Sequence, residues 1–237
     1  MPKAPLHEWI VQPSEAVALQ RELARRIIRE DRLGEVAHIA GVDMAINEQS
    51  GMARAAVVLL SYPELEIVER HVYEEPVRMP YIPGLLSFRE IPCILGAFAQ
   101  LKQQPDLIMV DGQGIAHPRR LGIASHLGLW LDLPTIGCAK SILTGHHAPL
   151  GEEVGDWVPL RADGETIGAV VRTRAHVKPM IISPGHRISL ETSVRYVLAC
   201  SKGYRLPEPT RLADKLSKDN SWQEPAEQEQ QQQSLWE

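Results

Sequence analysis

Leu107-Ile-Met-Val-Asp-Gly-Gln-Gly-Ile-Ala-His-Pro-Arg-Arg-Leu-Gly-Ile-Ala-Ser-His-Leu-Gly128 decides how the chain folds. Its first four residues, Leu107 to Val110, are all apolar and read as a strand buried on both faces. The run stops at Asp111, followed by Gly112 and Gly114. A carboxylate at the carboxyl end of a buried strand, beside glycines that admit another chain to the backbone, is where open α/β sheets place ligands. His117, Arg119 and Arg120 follow, and then an apolar helix pattern from Leu121 to Leu131. Acid, imidazole and guanidinium groups so close together suit a phosphate and a metal ion. The alternative for this segment alone is a strand-end turn with a solvated Asp.

Upstream, Val36 to Ile46 reads as a strand with small residues along one side, Ala37, Gly41, Asp43 and Ala45. Ala53 to Ser61 and Glu66 to Tyr73 complete an antiparallel three-strand meander joined by short turns. Asp43 interrupts an apolar strand, which favours metal or catalytic use over a structural ion pair. Residues 13–31 carry apolar positions at helical spacing (Ala16, Leu19, Leu23, Ile27) behind Ser14, a candidate N-cap. The loop from Pro76 to Pro92 is stiffened by Pro80 and Pro83 and projects Tyr81-Ile82-Pro83 as an apolar tip. Such a tip can part stacked bases, or it can pack on its own core. Ser87-Phe-Arg-Glu90 spells a capping box, yet Pro92 suits a first helical position. A helix from Pro92 to about Gln104 is therefore predicted, with Glu90 just before it and free to bind.

Downstream, Leu133 to Ala139 is another strand ending at Lys140, so two successive βα units are predicted to set a carboxylate and an ammonium along one sheet edge. His146-His147 reads as loop. Val158, Thr166 to Arg172 and Met180 to Ile182 read as strand pieces, and Ser189 caps a helix to Ser201. His186-Arg187 before it faces either a phosphate or solvent.

Composition sets the limits. The 237 residues contain no apolar run long enough for a membrane span and no basic-then-apolar leader in Met1 to Gln12. Cys93, Cys138 and Cys200 are odd in number and scattered, the pattern of a reduced, cytoplasmic chain without a sulfur-based zinc site. The net charge is −5, but residues 219–237 hold five acids and no base, leaving the body neutral. Within 157–218, 11 Lys and Arg face 5 Asp and Glu, either a local phosphate-binding face or ordinary surface charge. The body, 1–217, is expected to be a single domain, and the Gln-rich acidic stretch 218–237 a disordered tail. Signatures of P-loop NTPases, α/β-hydrolases and zinc hydrolases are absent from the sequence.

Asp43, Glu90 and Asp111 fall on three consecutive elements around one sheet. Hard oxygen donors suit Mg²⁺ or Mn²⁺, which polarises a phosphoryl oxygen and activates a water. Lys140 and His117 are candidates to supply positive charge or a proton near the reacting oxygens. A meander with an acid on its first strand, then βα units with a second acid, is the order of ribonuclease-H-like folds. The expected class is α/β, a mixed sheet flanked by helices.

Gly41-Val-Asp43, Pro80-Tyr-Ile-Pro-Gly-Leu-Leu-Ser-Phe-Arg-Glu90, Val110-Asp-Gly-Gln-Gly114 with His117-Pro118, Gly122-Ile-Ala-Ser-His126, Gly137-Cys-Ala-Lys140, Gly185-His-Arg-Ile-Ser189 and Pro209-Thr-Arg-Leu-Ala-Asp214 together resemble the endonuclease V family, in its order and spacing from about residue 13 to 217. The resemblance implies a repair nuclease that recognises deoxyinosine in DNA. It cuts the second phosphodiester 3′ to the lesion, leaving 3′-hydroxyl and 5′-phosphate ends. It implies Asp43, Glu90 and Asp111 as catalytic acids holding Mg²⁺ or Mn²⁺, His117 as the site's histidine, and Lys140 against the scissile phosphate. Asp214 adds to the metal surroundings in the same reading. Tyr81, Ile82 and Pro83 are similar to the family's strand-separating wedge. The extruded base enters a pocket near Gly84, Leu86, Gly112 and Ile123, read largely by backbone. A monomer is expected. The competing expectations are an endoribonuclease acting at inosine in RNA, a binder that has lost its metal, and a ribonuclease-H-like exonuclease or resolvase, which has no need of the wedge.

Overall fold

The computed structural model describes residues 5–219; the Gln-rich acidic stretch beyond them, expected to lack structure, lies outside the described residues. Helix α1 (Pro13–Ala24) begins on Pro13, whose missing N–H costs nothing at a first helical position, so Gln12 rather than Ser14 is the N-cap. It also ends earlier than its apolar spacing suggests. Ile28 is drawn out of the helix by backbone bonding: its N–H donates to His186 Nδ1 at 3.3 Å and its carbonyl accepts from Arg187 N at 2.7 Å.

Strands β1 (His38–Asn47), β2 (Met52–Ser61) and β3 (Ile67–Pro76) form the expected meander, antiparallel throughout. Helix α2 (Leu86–Phe98) corrects the predicted start at Pro92: Pro92 lies inside it, and Leu85, not Ser87, is its N-cap. An interior proline forfeits one backbone bond and costs roughly 3 kcal/mol. The buried residues Ile91, Cys93, Ile94 and Ala97 offset that cost by packing on the meander, and Phe88 by packing with Ala16 of α1. Glu90 is consequently a helical residue and not a free loop acid.

Strand β4 (Leu107–Val110) pairs parallel with β1, α3 (Ile123–Leu131) follows, and β5 (Thr135–Ala139) pairs parallel with β4. No helix follows β5, so the predicted second βα unit is replaced by a loop into an antiparallel run. This comprises β6 (Trp157–Ala162), β7 (Glu165–Val171) and β8 (Met180–His186), with β8 closing on β5. The result is one sheet in the order β3-β2-β1-β4-β5-β8-β7-β6. Helix α4 (Leu190–Ala199) is capped as expected, Ser189 Oγ accepting from Thr192 N at 3.2 Å. His186 is buried in β8, and Arg187, 33% exposed, pairs with Asp132 at 2.6 Å, so its charge is matched within the protein. Among the described residues no helix is long and apolar enough to cross a membrane.

The last helix among the described residues, α5 (Glu208–Lys218), had no counterpart in the strand and helix reading of the sequence. The two faces of the sheet explain its place. Ala40, Val42, Ile108 and Val110 pack with α2 and α3. Ile39, Leu107, Met109, Ile136 and Cys138 face the other way, with Val194 and Val197 of α4 and Ala213 and Leu216 of α5. Side chains alternate along strands, so Asp43, Asp111 and Lys140 project on the second side, under α5. Gly41 lets the helix sit there: a Cβ on it would overlap the Pro209 carbonyl. Gly41→Ala is expected to lift the start of α5, cost about 1–3 kcal/mol by overpacking, and weaken Mg²⁺ binding. Thermal melts with and without Mg²⁺ check this; an unchanged Mg²⁺ response would detach α5 from the site.

Candidate active site

Asp43, Asp111 and Asp214 converge where the parallel strands end, each offering a carboxylate oxygen within 4.8 Å of the others. Asp111 N donates to the Val42 carbonyl at 3.0 Å, which ties the end of β4 to β1 beside Asp43. From α5, Ser217 Oγ donates to Asp43 Oδ2 at 2.7 Å. Lys140 Nζ donates to Asp214 Oδ1 at 2.8 Å and lies 2.5 Å from Asp111 Oδ2. Lys218 reaches the same Asp214 oxygen at 2.7 Å. The sequence reading held Asp214 only through family resemblance; its membership depends on α5 folding back over the sheet, a contact that local spacing does not carry.

Glu90 approaches from the α2 side and stands apart from this trio. Burial, then the charge of Asp43, pushes its carboxyl up to about 8. Burial and then the charge of Asp111 push Asp43 up to about 6, the Ser217 hydroxyl offsetting only part. Burial also opposes the charges of Lys140 and Asp214. Pairing prevails: Asp111 and then Asp214 hold Lys140 above the usual lysine range, and Lys140 and then Lys218 hold Asp214 below the usual carboxylate range. The cluster therefore carries more negative charge than its lysines neutralise. Close-set hard oxygen donors with unbalanced charge fit a small divalent cation.

His117 is placed elsewhere than expected. It lines a cavity of about 100 Å³ with Tyr81, Gly84, Leu86, Ser87 and Ile123. Its Nδ1 accepts from Arg119 N at 3.1 Å, it bonds the Gly84 backbone, and none of the acids is among its hydrogen-bond partners. Burial, then Arg119, pushes it down to about 4, so the imidazole is neutral. The expectation that it supplies a proton near the reacting oxygens gains no geometric support. The cavity is far smaller than a drug-sized pocket and suits one flat heterocycle. A roomier cleft of about 510 Å³, lined by Pro5, Arg26, Trp130 and His186, holds none of the acids.

Tyr81 is 62% exposed, as a wedge requires, with the Arg89 guanidinium 6.0 Å from its ring centroid. Pro83 is exposed, whereas Ile82 packs against Ala16, Leu85 and Phe88. Gly112 is not among the cavity-lining residues; it backs the wall by abutting Ile123. Two residues shape the wall, Gln20, which sequence reasoning passed over, and Arg119, which it assigned to a phosphate. Gln20 of α1, on a helix read from its apolar spacing, donates to the carbonyls of Gly84 and Leu121 at 2.9 and 3.3 Å. Arg119 donates to Gln20 Oε1 at 2.5 Å and to the Gly84 carbonyl at 2.7 Å. Arg120 pairs with Glu165 and Asp163. Both guanidiniums are thus engaged within the protein, correcting the expectation of a phosphate site there. A glutamine on an otherwise apolar helix stripe was the available signal for Gln20.

A mixed sheet that opens with an antiparallel meander and continues into parallel strands, with acids at the strand ends, defines a ribonuclease-H-like α/β protein. The endonuclease V family model matches residues 21–215, and the chain belongs to the endonuclease V family, enzymes that hydrolyse phosphodiester bonds in nucleic acid. It is 53% identical over 212 residues to an endonuclease V from a Nostoc species, covering 89% of this chain and 96% of that one. The crystal structure of endonuclease V from Streptomyces avermitilis superposes with a TM-score of 0.84 at 41% identity, covering 88% of this chain and 92% of that one. A single-residue variant of endonuclease V from Ciona intestinalis, in complex with a 23mer DNA containing an inosine followed by a ribo-adenosine, matches with a TM-score of 0.78 at 30% identity. It covers 87% of this chain and 97% of that one.

Proposed function

We propose that the chain is a metal-dependent DNA repair endonuclease that recognises deoxyinosine and hydrolyses the second phosphodiester bond on its 3′ side. One observation carries this reading: the segment that follows β4 serves both the acid cluster and the base-sized cavity. Asp111 follows directly on β4 and Gln113, two residues on, lines the cavity; Leu86 and Ser87 of α2 line it too, one turn before Glu90, whose carboxyl feels the charges of Asp43 and Asp111. A base seated in the cavity is therefore held at a fixed offset from the acids.

Asp43, Asp111 and Asp214 would hold Mg²⁺, or Mn²⁺ in its place, which when bound polarises a phosphoryl oxygen and lowers the pKa of a water. Lys140, fixed between two of the acids, sets a positive charge against the phosphate as charge develops on its oxygens. Water adds to phosphorus, the bond to the 3′-oxygen breaks, and a proton joins the departing oxygen, leaving 3′-hydroxyl and 5′-phosphate ends. The neutral His117 serves the cavity by holding Gly84. Tyr81 fills the gap left by the extruded base, so Tyr81→Ala is expected to weaken binding of a deoxyinosine duplex about tenfold, the scale of one aromatic–base stack, with Mg²⁺ binding unaffected. Equal affinity in both proteins would reduce Tyr81 to ordinary surface. The three free, buried cysteines fit work in a reducing cytoplasm.

A second reading is an endoribonuclease acting at inosine in RNA; the ribo-adenosine in the DNA bound by the Ciona protein is the reason to test it. End-labelled oligonucleotides carrying one deoxyinosine or one riboinosine, with Mg²⁺ and with EDTA, separate the two. A metal-dependent cut one nucleotide beyond deoxyinosine supports DNA repair. A cut only in RNA moves the same site to inosine-RNA turnover, and binding without cleavage in either overturns both nuclease readings.

A further inference from the structure

Behind the cavity wall runs a row of polar groups that the acids do not use, buried at Ser87 and His126 and half-buried at His7. Ser87, 2% exposed, lines the cavity, and its hydroxyl lies 3.0 Å from Nδ1 of His126, which is fully buried on α3. His126 Nε2 is 2.7 Å from His7 Nε2, and His7 Nδ1 is 2.7 Å from the Glu8 carbonyl oxygen. Rings of Trp9, Phe88 and Trp130 pack around the pair. Burial, then the neighbouring His7, pushes His126 down to about 3, and burial lowers His7 as well. Both rings are neutral, so each carries one N–H and one bare nitrogen.

The donors and acceptors then assign every proton in the row. A carbonyl only accepts, so the His7 proton sits on Nδ1 and its Nε2 is bare. The proton between the two rings belongs to His126 Nε2, which leaves His126 Nδ1 bare. Ser87 must donate to that nitrogen. Its hydroxyl proton is committed inward, and only its lone pairs remain for the cavity.

We propose that Ser87 is a specificity-determining residue that presents an acceptor, and no donor, to the base, with His126 and His7 as the positioning residues that fix this polarity. The proposal rests on the reading of the cavity as the site of the flipped base. Hypoxanthine attached through N9 has a single N–H, at N1, so an acceptor-only hydroxyl can bond it there alone. Adenine has a lone pair at N1, and two acceptors facing each other repel. The difference between a damaged base and its parent is thereby read partly by a repulsive contact against the parent.

Binding of two oligonucleotides that differ only in one deoxyinosine or deoxyadenosine tests this, with Ca²⁺ replacing Mg²⁺ to suppress turnover. Ser87→Ala is expected to lower the ratio of the two affinities about tenfold, on the scale of one buried hydrogen bond. His126→Phe should do the same, and His126→Asn, whose amide oxygen can accept from Ser87, should recover most of the loss. General damage to the fold would move both affinities together and leave their ratio alone. Nitrogen-15 NMR of the imidazoles should find His126 protonated on Nε2, and a tautomer mixture in His7→Ala. An unchanged ratio in folded Ser87→Ala, or a proton on His126 Nδ1, would overturn the proposal while leaving deoxyinosine recognition standing. No preference for deoxyinosine in the unaltered protein would overturn both.

Discussion

Asp111→Ala is expected to abolish cleavage, by at least about a thousandfold, while the protein stays folded. The size follows from losing a cation that supplies several kcal/mol of transition-state stabilisation, each ~1.4 kcal/mol being tenfold in rate. The fold survives because Asp111 lies beyond the last residue of β4 and contributes no apolar packing, while Lys140 keeps its hydrogen bond to Asp214. Asp43→Ala should behave alike in activity and differ in stability. It removes an acid that burial and Asp111 already disfavour, so the metal-free variant should melt no lower than the parent. Single-turnover cleavage beside far-ultraviolet circular dichroism decides the matter; near-normal rates in either folded variant would end the assignment of the cation to these acids.

The second large effect is a stability that falls as pH rises above about 6.5 when the metal is removed. Asp43 rises from 3.8 to about 6 and Glu90 from 4.5 to about 8 on folding. Both folded-state values exceed the unfolded ones, and although the lowered His117 and His126 oppose them below about pH 6.5, between about pH 4 and 8 these two acids hold more protons in the folded chain than in the unfolded one. Stability contributed by these groups is full below that window and declines through it, by an amount on the order of several kcal/mol at its upper end. A divalent cation binding the ionised acids opposes the decline. The gain in melting temperature from Mg²⁺ over EDTA should therefore grow between pH 5.5 and 8.5; an equal gain at both would contradict the charge imbalance inferred for the cluster.

The strand pattern of the sequence carried most of the fold. Two-residue alternation put Asp43 beside Gly41 on one side of β1, and the abrupt ends of two apolar runs marked Asp111 and Lys140, all three now together. What local pattern could not carry were contacts between distant segments. Pro92 reads as a helix start because its intrinsic cost is local, whereas the packing of Ile91 and Ile94 that outweighs it comes from the meander. Arg119 and Arg120 read as phosphate ligands because their partners, Gln20 and Glu165, lie on elements far along the chain. Helix α5 has few apolar residues, and its importance rests on a missing side chain at Gly41.

That helix also gives the active site an order of birth. During synthesis the sheet, Asp43, Glu90, Asp111 and Lys140 all emerge before α5 brings Asp214 and Ser217 onto β1. A chain still on the ribosome, or one terminated before α5, has the cavity and the wedge but lacks a carboxylate of the cluster. The last helix among the described residues thus completes a cation site that the earlier elements leave one carboxylate short.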